Sequence, residues 1–376
     1  MRYRRMPIEA ESPEEFGYHR IRCNLAESSV SDASLALLGT DLGDLLLQYG
    51  DHRGLPELRE HIESDGPGLE ADDVLVTAGA AGALFLIATT LLGEGDHLVV
   101  VRPNYATNIE TPRAIGADIA FVDLAFEEGW RIDPGRIAAA VTDRTRLVSI
   151  TVPHNPTGRG MPEADLRAIV ADCAARGVHL LVDETYREMT FGEPLPVAAS
   201  LSERAISVSS LSKTYGLPGI RTGWLACRDR DLVERFLAAK EQVSITGSIV
   251  DETIALRARR MRAAWLPGIM AGIGEGLAIT RAWVSSDDLV EWVEPDGGVV
   301  CFPRIREDAD VDVAHFHRVL VEELATVAAP GTGSSDPTRT CGSGTAGRPA
   351  TGSSRDWGTS ARRSAWRSGS GRTAPR

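Results

Sequence analysis

The 376-residue chain contains 38 arginines and only two lysines, Lys213 and Lys240. Where charge alone is needed, arginine has taken lysine's place. A surviving lysine therefore points to work that a guanidinium cannot do: losing its proton near neutral pH and attacking a carbonyl. Lys213 stands in "SVSSLSKTYGLPGIRTGW", between a hydrophobic run and a glycine-rich turn, where a site is expected. Lys240, in "FLAAKEQ", falls on a helical stretch and is expected on its solvated face. Other candidate residues lie in short polar segments: Asn155 in "PHNPTG", Asp183 and Tyr186 in "DETY", Ser210 and Ser212 just before Lys213, and Arg221 eight residues after it. His154 is expected to be a structural neighbour of Asn155 rather than a catalyst. His315 and His317 lie two apart and fall on different sides of a helix, so no metal site is expected. The cysteines, Cys23, Cys173, Cys227, Cys301 and Cys341, are odd in number and lack CxxC spacing. They read as reduced thiols, with no disulfide frame and no zinc site.

The elements that must position these residues are legible from about residue 74 to 227. Short β-branched runs, "VLVTAG", "HLVVVRP", "ADIAFVDL", "RLVSITVP", "HLLVDET", "AISVSS" and "TGWLAC", read as strands. Helical stretches such as "AAGALFLIATTLL" and "PEADLRAIVADCAARG" lie between several of them. The alternation predicts an α/β fold with a mostly parallel sheet between layers of helices. Ligands of such sheets sit beyond the carboxyl ends of the strands, where the candidate residues fall. After about residue 270, "GGVVCFPRI" and the helical "VDVAHFHRVLVEEL" predict a smaller α+β domain.

In this order, N-P-T-G, D-x-x-Y, S-x-S-K and a later G-x-R-x-G resemble the fold-type I pyridoxal-phosphate enzymes, in particular the class I/II aminotransferases. The resemblance covers roughly residues 20 to 330. It implies a large domain with a mostly parallel seven-stranded sheet between helices, and a smaller α+β domain. The expected divisions are an N-terminal segment at 1–45, a large cofactor domain at 46–265, a small domain at 266–330 and a tail from 331. It further implies that Lys213 holds pyridoxal 5'-phosphate as an aldimine and moves the substrate α-proton. Asp183 would pair with the ring nitrogen, while Asn155 and Tyr186 would hydrogen-bond the ring's 3-oxygen. Ser210 and Arg221 would grip the phosphate, with backbone N–H groups of Ala80 and Ala81 in "TAGAAGALF" at a helix start. Tyr105 in "RPNYATN" would stack on the ring. Tyr49 in "LLLQYGDHRGLPELR" would reach the phosphate held by a neighbouring subunit, which makes a homodimer with shared active sites. "NLAESS" resembles the segment that closes over substrate, and Glu27 and Asp51 are candidates to face a cationic side chain.

The implied reaction passes an amino group from an amino acid to a 2-oxo acid. The alternative is an oxidase, hydroxylase or cyclase acting on arginine or a related guanidino amino acid. The net charge of -13 argues against a nucleic-acid partner. The basic start turns acidic with no apolar segment, and no apolar run long enough for a bilayer is read, so a cytoplasmic protein is expected.

The expected substrate α-carboxylate arginine would follow a segment like "VAAPG" at 327–331, but the sequence then changes character. Residues 331–376 hold no Leu, Ile, Val, Phe or Met, and eight Arg against two Asp. This ending reads as a disordered tail, and as one produced by a frameshift near residue 332. One deleted base after Gly331 permits a neighbouring-frame reading, "GHWFERPDAYMRIGYGW", whose arginine codon straddles Cys341 and Gly342. As written, no residue can be assigned to the α-carboxylate; Arg339 and Arg348 are only weak candidates.

Overall fold

The computed structural model describes residues 1–10, 12–330 and 341–344. All seven expected strands form, and they form one sheet. They are β1 (Val74–Ala78), β2 (His97–Arg102), β3 (Asp118–Asp123), β4 (Thr145–Thr151), β5 (His179–Asp183), β6 (Ala205–Ser210) and β7 (Thr222–Ala226). Across the sheet the order is β1-β7-β6-β5-β4-β2-β3. Pairing is parallel from β6 to β3, and only β7 runs antiparallel to its two neighbours.

Period-2 alternation sorts the apolar side chains of each strand to opposite faces. Val148 and Ile150 of β4 join the core beneath helix α5 (Glu163–Ala175), with Leu166, Ile169 and Cys173. Leu147 of the same strand joins the other core, with Ala83, Leu84 and Ile87 of α2 (Gly79–Leu91) and Phe236 of α6 (Arg230–Ser244). Both faces are therefore covered, which explains why these strands read as nearly continuous hydrophobic runs. A third core packs Val76 and Trp224 against Leu58 and Ile62 of α1 (Pro56–Glu63) and Ile254 of α7 (Ile249–Arg260).

The helix ends are set by local chemistry. Asp229 caps α6 by accepting the Leu232 N–H at 3.0 Å, and Ser248 caps α7 through the Asp251 N–H at 3.3 Å. Helix α8 (Arg262–Ser285) runs across the boundary expected between residues 265 and 266. It also corrects the expectation about apolar runs: by length and composition it could cross a bilayer, its most apolar 18-residue window having a mean hydropathy of 1.2. The helix carries Arg262, paired with Asp65 at 3.3 Å, and Arg281, paired with Glu294.

Beyond the large sheet the strands are short. Cys23–Asn24 pairs in parallel with Thr326–Val327, joining the N-terminal segment to the last third of the chain. The expected helix at 311–324 begins as α9 (Val313–Arg318) and continues as a π turn over Val319–Glu323. Within the stretch read as a disordered tail, Cys341–Gly344 forms a strand between Val300–Cys301 and Ala329–Pro330, a correction for those four residues. The rest of that stretch, with Arg339, Arg348 and the proposed point of frameshift, lies outside the described residues.

Candidate active site

The polar residues singled out in sequence collect at one edge of the sheet because three parallel strands end there. Asn155 follows β4, Asp183 closes β5, and Ser210 closes β6 and leads into Lys213. Thr151 of β4 lies in register with Asp183, and Val208 of β6 lies on its other side.

Asp183 is buried, and its Oδ1 accepts the backbone N–H of Thr185 at 3.1 Å and the Thr185 hydroxyl at 2.6 Å. Among the described residues Oδ2 has no hydrogen-bond donor. Burial pushes the carboxyl's pKa up, while the Thr185 donors and the Lys213 charge draw it down. Lys213 is half-buried. Its Nζ donates to Ser28 Oγ at 2.9 Å and lies 3.7 Å from Glu27 Oε1. Burial lowers the amine below its usual value, opposed by the charges of Glu27 and Glu14 and reinforced by Arg221.

Opposite these groups lies an anion cradle. Gly79 opens α2 at φ +70, and a Cβ there would lie 2.7 Å from Arg221 Nη2. Arg221 is itself left-handed, at φ 41, and its Nη1 donates to the Pro218 carbonyl at 2.9 Å and Ser212 Oγ at 3.4 Å. Gly223 of β7 permits the approach of α2, because a Cβ there would lie 2.4 Å from the Gly79 carbonyl carbon. Ala80 and Ala81 therefore occupy the first turn of α2 beside a guanidinium that also reaches Ser212, with Ser210 in register with Gly223. Cation, hydroxyls and helix start together match the donor set a phosphate monoester requires. A buried carboxyl with one open oxygen and a desolvated amine complete a set that fits pyridoxal phosphate.

His154 is buried and tied on both ring nitrogens, to the Pro103 carbonyl at 2.9 Å and Thr157 Oγ1 at 2.9 Å. Burial lowers its pKa to about 4, so it is a neutral link between the Asn155 loop and the Tyr105 loop. Tyr105 is 42% exposed; burial raises its hydroxyl's pKa, the Glu9 charge adds to this, and Arg221 and Asp183 act more weakly. Tyr186 is buried, and its hydroxyl donates to the Ser28 carbonyl at 3.0 Å. Tyr49 stands apart at 80% exposure, with no hydrogen bond among the described residues. Asp51 Oδ1 accepts the Arg53 N–H at 2.7 Å, and its Oδ2 lies 3.7 Å from Arg59 Nη2.

Ser28 belongs to the "NLAESS" segment but is not among the individual candidates, and it engages both Lys213 and Tyr186. Its segment is laced to the lysine loop by Val30 N–H to the Lys213 carbonyl at 3.2 Å and Ala33 N–H to the Gly216 carbonyl at 2.7 Å. A Cβ on Gly216 would lie 2.1 Å from the Ser31 carbonyl oxygen, so glycine is needed for this approach. Lys240 corrects the reading of a solvated residue: it is 2% exposed, with Nζ donating to the His52 carbonyl at 2.6 Å. Its short helix periodicity gave no warning, because the surface that covers it lies far away in sequence. Among the described residues no group of His, Cys, Asp and Glu could hold a metal ion.

The chain was compared with known families, proteins and structures. A sequence model of the family described as aminotransferase class I and II matches residues 27–343. Arginine–pyruvate transaminase of Pseudomonas aeruginosa is 35% identical over 185 residues, 47% of this chain and 47% of that protein. The chain thus spans about half the length of that relative. Capreomycidine synthase of Streptomyces vinaceus is 31% identical over 288 residues, 73% of this chain and 72% of that protein. The crystal structure of a PLP-dependent aminotransferase from Streptococcus suis superposes with a TM-score of 0.82 at 26% identity, covering 91% of this chain and 94% of that one.

Proposed function

The chain belongs to the class I and II aminotransferases, which work with pyridoxal 5'-phosphate, and from that premise we propose that it transfers an amino group from an amino acid to a 2-oxo acid at Lys213. The observation that carries this is the half-buried Lys213 amine, lowered by its surroundings and within electrostatic reach of Asp183 and Arg221. When bound, the cofactor supplies a conjugated ring that accepts the electron pair left on the donor's α-carbon.

The chain's own residues have distinct tasks. Lys213 Nζ takes the α-proton and returns one, and its lowered pKa leaves more neutral base at a given pH. Asp183, buried where water competes poorly, would hold the ring nitrogen's proton. Arg221, Ser210 and the first-turn N–H groups of Ala80 and Ala81 would hold the phosphate, Asn155 and Tyr186 would hydrogen-bond the 3-oxygen, and Tyr105 would pack beside the ring. Tyr186 would exchange the Ser28 carbonyl for that oxygen, and Lys213 would leave Ser28 Oγ.

The donor we favour is a cationic amino acid. Glu27 lies 3.7 Å from the lysine amine, and the Glu14 charge also acts on that amine. One relative carries arginine in its name. The same two carboxylates, with the likeness to capreomycidine synthase, support the second reading, an oxidase or cyclase acting on a guanidino amino acid. A homodimer is supported by the outward Tyr49 beside exposed Leu46 and Leu47. A cytoplasmic setting is supported by Cys23, Cys173, Cys227 and Cys301, none of which forms a disulfide.

An absorbance spectrum with added pyridoxal phosphate tests the site. A band near the visible edge that borohydride removes, and that Lys213→Ala abolishes, is expected. An unchanged band in the variant refutes the assignment. Oxygen uptake from arginine without a 2-oxo acid would favour the second reading over transamination.

A further inference from the structure

We propose that Lys240 is a positioning residue that fixes the Tyr49 loop toward the active site of a second copy of the chain. The proposal rests on the reading of Tyr49 as a phosphate ligand across a homodimer, and deepens it. It starts from the anomaly in composition: of the two lysines, one is at the candidate active site and the other is buried in α6.

The backbone from Asp51 to Leu55 is gripped one polar group at a time by side chains from three helices. Lys240 of α6 donates to the His52 carbonyl at 2.6 Å, and Arg59 of α1 to the Gly54 carbonyl at 3.1 Å. Glu252 of α7 accepts the Leu55 N–H at 2.6 Å, and the Val76 N–H of β1 meets the Arg53 carbonyl at 2.9 Å. The His52 ring meets Glu241, also on α6, at 2.6 Å. The nearby charges of Glu252 and Asp51 offset part of the desolvation of the Lys240 ammonium. An ammonium is compact, with three donors that rotate on a thin stem and can turn to a buried carbonyl such as that of His52. A guanidinium would bring a planar fork with further donors to satisfy. This accounts for the retention of lysine where arginine serves almost everywhere else.

The grip ends where Tyr49 begins. Tyr49 is 80% exposed, whereas the carbonyl of His52 three residues on is held by Lys240. Val243 and Ile245, at 67% and 48% exposure, lie at the end of the helix that carries Lys240. Lys240 therefore joins the tyrosine loop and this apolar helix end into one unit, offered outward.

The test uses mixed dimers of the full chain, loaded with pyridoxal phosphate. Only a subunit with Lys213 gives the visible band, so affinity read from that band belongs to that subunit. The tyrosine it receives comes from the other subunit. A subunit with intact Lys213 and Lys240→Met, paired with a Lys213→Ala subunit, is expected to bind cofactor as the wild type does. With both substitutions on one subunit and a wild-type partner, affinity should fall about tenfold, the loss expected for one hydrogen bond to a charged group. Tyr49→Phe placed on the Lys213→Ala subunit should give the same loss, and adding Lys240→Met there should not deepen it. If Tyr49→Phe changes nothing, the reading of Tyr49 is refuted, and the proposal with it. If Tyr49→Phe weakens binding but Lys240→Met acts only on its own subunit's site, or adds fully to Tyr49→Phe, Lys240 is a structural residue and the proposal alone is overturned. Lys240→Gln, which keeps a donor, replaces Lys240→Met in the same pairs if the latter does not fold, and is judged by the same outcomes with a smaller loss.

Discussion

Glu184, the neighbour of Asp183, gives a sharp test of how burial sets charge in this protein. Its side chain is buried, and Oε1 accepts the Ala198 N–H at 2.7 Å and the Ser207 hydroxyl at 3.0 Å. Burial raises the carboxyl from 4.5 to about 7, against the pull of those two donors and of Arg187. A carboxyl raised on folding stabilises the folded state most when it is protonated in both states, below the unfolded value of 4.5. That contribution is lost as pH climbs to about 7 and is gone above it. At about 1.4 kcal/mol per pH unit, the interval is worth roughly 3 kcal/mol. Glu184→Gln keeps an oxygen that can accept both hydrogen bonds and has no charge to lose. Its stability relative to the wild type should therefore improve by roughly 3 kcal/mol between about pH 4.5 and pH 8. Urea unfolding of both proteins at several pH values measures this, and the difference removes every other titrating group from the comparison. A difference that stays flat over that range, or moves the other way, would mean that Glu184 is charged in the folded protein and that burial does not control it.

Two further outcomes are expected. Gly223→Ala would put a Cβ 2.4 Å from the Gly79 carbonyl carbon and 2.6 Å from the Ala80 nitrogen, so α2 must move. The variant should lose about 1–3 kcal/mol of stability in a denaturant titration and also bind pyridoxal phosphate more weakly, since the cradle shifts with the helix. Glu27→Gln should raise KM for arginine about tenfold while leaving KM for an uncharged amino donor within about twofold; equal changes for both donors would remove Glu27 from substrate recognition.

The parts of the fold readable in sequence are those set by local pattern. Most strands of the large sheet are short apolar runs buried along their length, so composition alone marks them, as in "RLVSIT" and "HLLVD", while the edge strand Asp118–Asp123 is only partly buried. The site residues were readable because a parallel sheet puts its loops at one edge, which converts a position in sequence into a position in space. What escaped depends on distant partners. Ser28 reaches Lys213 across 185 residues, and Lys240 reaches His52 across 188. Nothing in "FLAAKEQ" announces the loop that covers it. Gly223 could have been suspected, since a glycine inside a strand often marks a close backbone approach, here that of α2.

The burial of both lysines also leaves the protein with an unusual chemical surface. Its outer positive charge is carried by arginine, and the two side-chain amines are a fully enclosed one and the half-buried Lys213. An acylating reagent applied to the native protein would therefore find one reachable side-chain amine, at the site itself. The mass added would report how much of that site is open, and bound cofactor should suppress it. Amine-to-amine cross-linkers would join neighbouring copies poorly however tightly they pack, whereas dicarbonyls directed at guanidinium groups would find abundant targets.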